Sequence, residues 1–202
     1  MSEQTVYIRG PQVSLRPIEP GDTERYYRWM NDRDVTQWLG FNLPIPIEAE
    51  RAWVDRYAKE RPTDNHVLAV ILNDTGDHIG TVGLHGIHWI DRVAETGWMI
   101  GAKEHWRKGC GSEMVMLILR YAFATLNLRK VVSSALATNV GSNRIHERCG
   151  YRLIGQRRAH VYRNGVYVDM NLYELFAEDF DRAWCEYMMP DHAHCIDDEP
   201  AA

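Results

Sequence analysis

The fold is decided by Glu95-Thr-Gly-Trp-Met-Ile-Gly-Ala-Lys-Glu-His-Trp-Arg-Lys-Gly-Cys-Gly-Ser-Glu-Met114, which indicates a strand, a glycine-containing turn and the start of a helix. Gly109 and Gly111 allow a tight turn and a close approach of the backbone to a ligand. The unpaired N–H groups of the first helical turn and the positive end of the helix dipole favour an anion at this point. A pyrophosphate is therefore the expected ligand, although a short glycine loop can also serve only to begin a helix.

Two later stretches also contain informative turns. Asn139–Ser142 lies where a predicted strand, Lys130–Thr138, is followed by a short helix that Gly150 ends. Two further strands are predicted around the turn Arg163-Asn-Gly165, because Asn-Gly favours a two-residue hairpin turn. The glycine spacing of the first loop is neither that of a P-loop nor that of the dinucleotide-binding fingerprint.

Taken together, the three stretches resemble the GNAT N-acetyltransferase superfamily, and in particular its RimJ/RimL-like branch. Trp106–Met114 is similar to the acyl-CoA loop of that branch, Trp-Gly-Lys-Gly-x-Ala/Gly-x-Glu-Ala, with Arg107 in place of a glycine. Asn139–Tyr151 is similar to its Asn-x-x-Ser-x-x-x-x-x-Lys-x-Gly-Phe, and Tyr162–Tyr173 to its closing hairpin. The resemblance covers roughly residues 10 to 180.

The resemblance implies an α+β fold with three α/β/α layers, in which a mostly antiparallel central sheet of six to seven strands splays apart at the acyl-CoA site. The order of predicted elements also favours α+β, with one parallel strand pair. We expect one domain over residues 1–188 and a polar, mobile tail over residues 189–202. Periodicity predicts strands at 13–17, 67–72, 78–87, 93–100 and 130–138, two more strands from 151 onward, and helices at 22–31, 47–60, 111–126, 142–149 and 176–188.

The composition limits the functions that are open to the chain. Its 202 residues, net charge of −5 and 45 % apolar content are typical of one globular domain. No basic stripe for nucleic acid, no membrane-spanning run and no signal peptide are indicated, so we expect a cytoplasmic protein. His192, His194 and Cys195 have no matching ligand cluster upstream, so no metal site is expected.

Acetyl-CoA is the cosubstrate that the resemblance implies. In the family, strand backbone groups bind the pantetheine arm, loop amides bind the pyrophosphate, and an asparagine and a serine lie along the cofactor. The positions of this chain that match are Met99, Ile100, Gly101, Trp106, Arg107, Lys108, Gly109, Cys110, Gly111, Ser112, Asn139 and Ser142.

Acetyl transfer requires a neutral amine and a proton for the departing thiolate. An amine with a pKa near 10.4 is neutral only about once in 2,500 molecules at neutral pH, so a base contributes usefully. Glu95 is the candidate base, and orientation of the amine is its alternative role. The resemblance implies that Ser142 protonates the thiolate. His146 matches a tyrosine that does so in other branches, or else it is an ordinary half-exposed helix residue.

The expected acceptor is a primary amine, either a protein N-terminus or a small molecule. The candidate substrate-binding residues are Trp38, Phe41, His88 and Trp89, on two segments that carry no motif. Ile154 replaces a glutamate that is common in RimL, so a ribosomal-protein substrate is not implied. The alternative function is a GNAT-shaped module that binds acyl-CoA or a metabolite without turnover. The resemblance is also compatible with a homodimer.

Overall fold

An eight-stranded sheet runs through the computed structural model, which describes residues 5–40, 43–60 and 62–188. The strands are ordered β1-β2-β3-β4-β5-β6-β8-β7 in space. Their bounds are β1 Ile8–Arg9, β2 Val13–Pro17, β3 His66–Leu72, β4 His78–His88, β5 Val93–Ile100, β6 Lys130–Leu136, β7 Arg152–Arg163 and β8 Val166–Phe176.

Within the described residues, six α-helices cover the two faces of this sheet. One face carries α1, α2 and α3, and the other carries α4, α5 and α6. Turns of 3₁₀ helix precede α1 and α4, and a π-helical turn follows both α3 and α4. The bounds are α1 Thr23–Met30, α2 Arg33–Thr36, α3 Ile47–Asp55, α4 Cys110–Arg120, α5 Val140–Arg148 and α6 Ala177–Met188.

The alternation of β4 and β5 explains why the two faces hold separate apolar cores. Val82 and Leu84 point toward α4, which is buried on all sides from Cys110 to Leu119. Met99 points to the opposite face and packs in a smaller cluster with Tyr26 of α1. The sheet is thus the middle layer of three.

The sheet is interrupted between β5 and β6, which run parallel. These two strands pair over three residues only, from Val93 with Lys130 to Glu95 with Val132. Both strands continue beyond that point without pairing, so they diverge. The Ser133 hydroxyl, which donates to the Thr96 carbonyl at 3.1 Å, is the next link after the last pair.

These observations confirm the expected α+β fold with a largely antiparallel, splayed sheet. The sheet has eight strands, one more than the upper limit of the six to seven expected. The additional strand is β1, where the Tyr7 amide binds the Leu15 carbonyl at 2.8 Å. A strand of two residues has no alternation that a sequence pattern can reveal. The helix predicted from Ser142 begins earlier, at Val140.

Two buried charged groups fix the sheet to its helices. Glu113 of α4 is fully buried, and its Oε1 accepts the amides of Gln12 and Val13 at 2.7 and 2.9 Å. On the other face, Asp22 binds both terminal nitrogens of Arg16 at 2.7 Å. Burial alone would raise the pKa of Asp22, but its hydrogen bonds with Arg16, His78 and the Glu19 amide together hold that pKa far below its ordinary value. Both carboxylates are therefore structural.

Within the described residues, no helix is long and apolar enough to cross a membrane. The same part of the chain contains no group of three or more His, Cys, Asp or Glu side chains arranged to hold a metal ion. His192, His194, Cys195 and the predicted tail lie outside the described residues.

Candidate active site

A cavity of about 980 Å³ occupies the gap between β5 and β6. Its walls come from both diverging strands, from the N-terminal ends of α4 and α5, and from the segment around α2. Of the predicted site residues, the cavity is lined by Trp38, Glu95, Met99, Ile100, Trp106, Arg107, Gly109, Gly111, Ser112, Asn139 and Ser142.

The loop before α4 presents unpaired backbone donors at one end of the cavity. Gly109 has a φ of 90° and Arg107 a φ of 63°, so the chain turns through left-handed conformations at two positions. The amides of Ser112 and Glu113 bind the Gly109 carbonyl, whereas among the described residues the amides from Arg107 to Gly111 have no backbone acceptor. Successive amides of this kind form an anion-binding concavity, strengthened here by the helix N-terminus. The positive φ of Arg107 also explains why the family pattern has a glycine at this position.

The two glycines of the motif have different structural roles. Gly109 is required by its left-handed conformation. A Cβ on Gly111 would lie 2.7 Å from the Cδ1 of Ile145, so the absence of a side chain there allows α4 and α5 to pack closely. The sequence predicted that both glycines admit a ligand; Gly111 lines the cavity and also makes room for a neighbouring helix.

The backbone of β5 has free groups that face the gap. The Gly101 amide binds the Ile79 carbonyl at 3.0 Å, so the backbone of Gly101, and by alternation that of Met99, is directed toward β4. The backbone groups of Trp98 and Ile100 then face the gap. The Ile100 carbonyl already accepts a hydrogen bond from the Trp106 indole at 2.8 Å. The backbone of Trp98 and the Ile100 amide are therefore the groups available to a ligand.

Asn139 caps α5 at the edge of the cavity. Its Oδ1 accepts the Ser142 amide at 3.1 Å, which is the bond expected of an N-cap side chain. Ser142 therefore lies inside the first turn of the helix instead of capping it. Its side chain is half-buried and lines the cavity.

Asn143 holds this junction together, although no sequence motif indicated such a role. Its amide nitrogen donates to the carbonyls of Leu136 and Asn139 at 3.0 and 2.8 Å, and its Oδ1 accepts from the Tyr173 hydroxyl at 2.7 Å. One side chain thus connects the end of β6, the start of α5 and β8. Its place four residues after the N-cap Asn139 is the only signal that the sequence contains.

His146 is fully buried, so the expectation of a half-exposed residue is wrong. Its ring stacks on Tyr173 with centroids 4.0 Å apart and also contacts Trp98 and Tyr151. Nδ1 lies 2.8 Å from the Ser142 carbonyl and donates to it, because a carbonyl can only accept. Burial lowers the pKa of His146 to about 4. The ring is not part of the cavity wall.

Glu95 and Trp38 lie at the other end of the cavity. Glu95 is exposed and belongs to the last residue pair before the strands diverge. Trp38 and Leu39 follow α2, and the Leu39 carbonyl accepts from the Arg163 guanidinium at 2.6 Å. This bond ties the tip of the β7–β8 hairpin to the cavity wall. The arrangement combines a carboxylate, an aromatic ring and an apolar wall.

Several predicted site residues lie elsewhere. His88 ends β4 and Trp89 follows it in the turn to β5. Both are exposed, because this hairpin extends beyond the cavity wall, and His88 contacts Asp91 at 2.9 Å. Gly101 is buried beneath Trp29, and Cys110 is buried with its thiol pKa raised by desolvation. Lys108 is an exposed residue of the loop that does not line the cavity, and Phe41 lies outside the described residues.

The family model described as an acetyltransferase (GNAT) domain matches residues 12–152. The "Uncharacterized N-acetyltransferase YoaA" of Bacillus subtilis is 29 % identical over 165 residues, which cover 81 % of this chain and 93 % of that protein. The "Putative ribosomal N-acetyltransferase YdaF" of the same organism is 30 % identical over 173 residues, which cover 84 % and 93 %.

Solved structures show the same fold. The spermidine N-acetyltransferase of Vibrio cholerae, in complex with CoA and spermine, superposes with a TM-score of 0.77 at 24 % identity. The match covers 84 % of this chain and 98 % of that one. The family model spans most of the chain, and the similar proteins are named N-acetyltransferases. The chain belongs to the GNAT acetyltransferase family, and it is an acetyltransferase.

Proposed function

We propose that the protein transfers the acetyl group of acetyl-CoA directly to a primary amine that arrives as a cation, as in the RimJ/RimL-like branch. The observation that carries this proposal is a single cavity through the splayed sheet, with unpaired backbone amides at one end and Glu95 at the other. The two ends suit an anionic and a cationic molecule respectively.

The residues present fit acetyl-CoA. The amides from Arg107 to Gly111 would hold its pyrophosphate, and the free backbone groups of Trp98 and Ile100 would bind the pantetheine arm in the manner of a strand. Asn139 and Ser142 would lie along it. When bound, the cosubstrate supplies an acetyl thioester.

The chain's own groups then act on the amine. Glu95 attracts the ammonium group to the point where the strands diverge, and Trp38 offers it an aromatic face. Ser142 carries a hydroxyl that is free to pass a proton to the departing sulfur, since the Asn139 cap uses only its backbone amide. His146 is neutral at neutral pH and is buried away from the cavity wall, so we assign it a structural role.

A small polyamine or another cationic amine is the substrate class that we favour. The carboxylate and the aromatic ring at the acceptor end support a cation, and the fold is shared with a spermidine N-acetyltransferase. A protein N-terminus remains the second candidate, because one similar protein carries a ribosomal name.

The test measures thiol release from acetyl-CoA with spermidine, glucosamine, kanamycin and a tetrapeptide that has a free N-terminus. We expect at least one cationic amine to be acetylated. If none of them causes thiol release although acetyl-CoA raises the Tm, the proposed substrate class is contradicted and the alternative of a module that binds acetyl-CoA without turnover is favoured.

A pair of glycine variants tests where the cosubstrate binds. Acetyl-CoA at a hundredfold excess over its Kd is expected to stabilise the protein by about 2.7 kcal/mol. Gly109→Val should abolish this shift. The matched control is Gly76→Val, because Gly76 also has a positive φ, 76°, in the turn between β3 and β4, where no atom lies within 4 Å of an added Cβ. Equal shifts in both variants would refute the anion-binding role of the loop.

A further inference from the structure

His85 stands next to Glu95 on the sheet surface that faces the acceptor end of the cavity. The two residues are direct partners in the β4–β5 ladder, so their side chains project from the same face. No sequence motif includes His85. Its position beside the one carboxylate at the acceptor end nevertheless makes it the strongest unassigned group in the described structure.

The hydrogen bonds around Asn65 fix the tautomer of His85. The Asn65 Oδ1 lies 3.4 Å from the Gly86 amide and 3.3 Å from the His85 Nδ1. A backbone amide can only donate, so the Asn65 atom at this position is the oxygen, and Nδ1 must carry the hydrogen. Nε2 is then the unprotonated nitrogen, with a free lone pair. Among the described residues it has no hydrogen-bond partner.

Gly97 leaves room for that lone pair at the edge of the cavity. A Cβ on Gly97 would lie 3.3 Å from the Nε2 of His85, so any larger residue at this position would press against the ring. Gly97 and Glu95 both line the cavity. His85 does not itself line the cavity, but its Nε2 lies against Gly97, which does, so we expect a water molecule at this edge to connect Nε2 with an amine held by Glu95.

The surroundings keep this nitrogen available. Burial lowers the pKa of His85 below its ordinary value, and the negative charge of Glu95 acts in the opposite direction. The helices that cover this face bring Tyr26, Glu50 and Tyr57, whose pKa values are raised, chiefly by burial. The charge that acts on His85 is thus that of Glu95, which would stabilise the imidazolium once it forms.

We propose that the His85 Nε2 is the base that accepts the proton lost by the attacking amine, while Glu95 holds that amine and stabilises the imidazolium. The amine nitrogen forms a bond to the acetyl carbon as the carbon–sulfur bond breaks. One ammonium proton goes to Nε2 and later to solvent, and a second goes to the leaving sulfur. This assignment rests on the proposed acetyl transfer.

The test compares the pH dependence of kcat/KM for His85→Asn and the wild type, with the fastest amine of the panel. Asparagine keeps a donor near the Nδ1 position and removes Nε2. The wild-type profile should reach a plateau above the pKa of His85. The variant should lack that plateau and rise until the pKa of the amine, with a deficit of about a hundredfold at pH 7 that falls below about threefold at pH 10.

His66→Gln is the matched control. His66 is another half-buried histidine whose pKa burial lowers, but it lies on the opposite face of the sheet, where it contacts the Tyr121 hydroxyl at 3.1 Å. It should keep the wild-type profile. A preserved acetyl-CoA-induced rise in Tm would show that His85→Asn is folded and binds the cosubstrate.

The outcomes separate the two proposals. If the wild type acetylates an amine and His85→Asn shows the same plateau, or a deficit that does not change with pH, the assignment of His85 is overturned and the function stands. If the wild type acetylates no amine of the panel, the proposed function fails and the role of His85 fails with it.

Discussion

The buried ring of His146 should make the stability of the protein depend on pH. Its folded pKa is lowered to about 4, whereas an unfolded histidine titrates near 6.5. The unfolded chain therefore binds the proton more readily, and the stability contributed by this residue is present above pH 6.5 and lost as the pH falls toward 4. At pH 4.5 the two values give a loss of about 2.5 kcal/mol relative to pH 7.5.

The effect can be isolated with His146→Phe, which keeps an aromatic ring against Tyr173. Removal of Nδ1 leaves the Ser142 carbonyl within the helix, so the variant should fold. The free energy of unfolding in urea is measured at pH 7.5, 6.5, 5.5 and 4.5. We expect the wild type to lose about 2.5 kcal/mol more than the variant across this range.

An exposed histidine provides the control, since His160→Phe on β7 should reproduce the wild-type pH dependence. Parallel curves for the wild type and His146→Phe would show that His146 is not buried in its neutral form. The same variant also tests the assignment of the proton donor, because turnover should survive if Ser142 and not His146 serves the departing sulfur.

Three further predictions concern packing, charge and substrate. Gly111→Ala should lower the free energy of unfolding by about 1–3 kcal/mol. Ile145→Val added to the same chain should restore most of this loss, because the clash is with the Cδ1 atom that valine lacks, and no recovery in urea unfolding would contradict the contact. Asp22→Asn should lower the free energy of unfolding by about 3–5 kcal/mol, because it leaves a buried guanidinium unpaired. Asp55→Asn, in an exposed ion pair, should lower it by at most about 1 kcal/mol, and similar losses in both variants would contradict this reasoning. Glu95→Gln should raise the KM for the amine about fivefold with the acetyl-CoA-induced Tm shift unchanged, and an unaltered KM would remove Glu95 from the amine site.

The long elements could be predicted because their periodicity matches their burial. The bounds predicted for Val13–Pro17 and Val93–Ile100 are those observed, and the turn at Asn164 and Gly165 has the positive φ angles that Asn-Gly favours. Short elements such as β1 and α2 contain too few residues for any period. β1 exists only through its pairing with the neighbouring β2, which two residues cannot reveal as a pattern.

The candidate site was predictable where it follows the backbone and unpredictable where it depends on distant side chains. The anion-binding loop can be derived from its glycines and the following helix. The burial of His146 depends on Tyr173 and Trp98, and that of Glu113 depends on amides about a hundred positions earlier in the chain. His85 becomes a candidate only when the ladder places it beside Glu95.

The three-residue contact between β5 and β6 has a consequence for the cohesion of the molecule. It leaves β1–β5 and β6–β8 as two half-sheets that share few main-chain bonds. A ligand that pairs with the edge of β5 supplies bonds that the interrupted ladder lacks. In the empty protein, the amide hydrogens of the two half-sheets are therefore expected to show different protection from exchange. In the loaded protein they should show the same protection, because the cosubstrate acts as a temporary strand between the half-sheets.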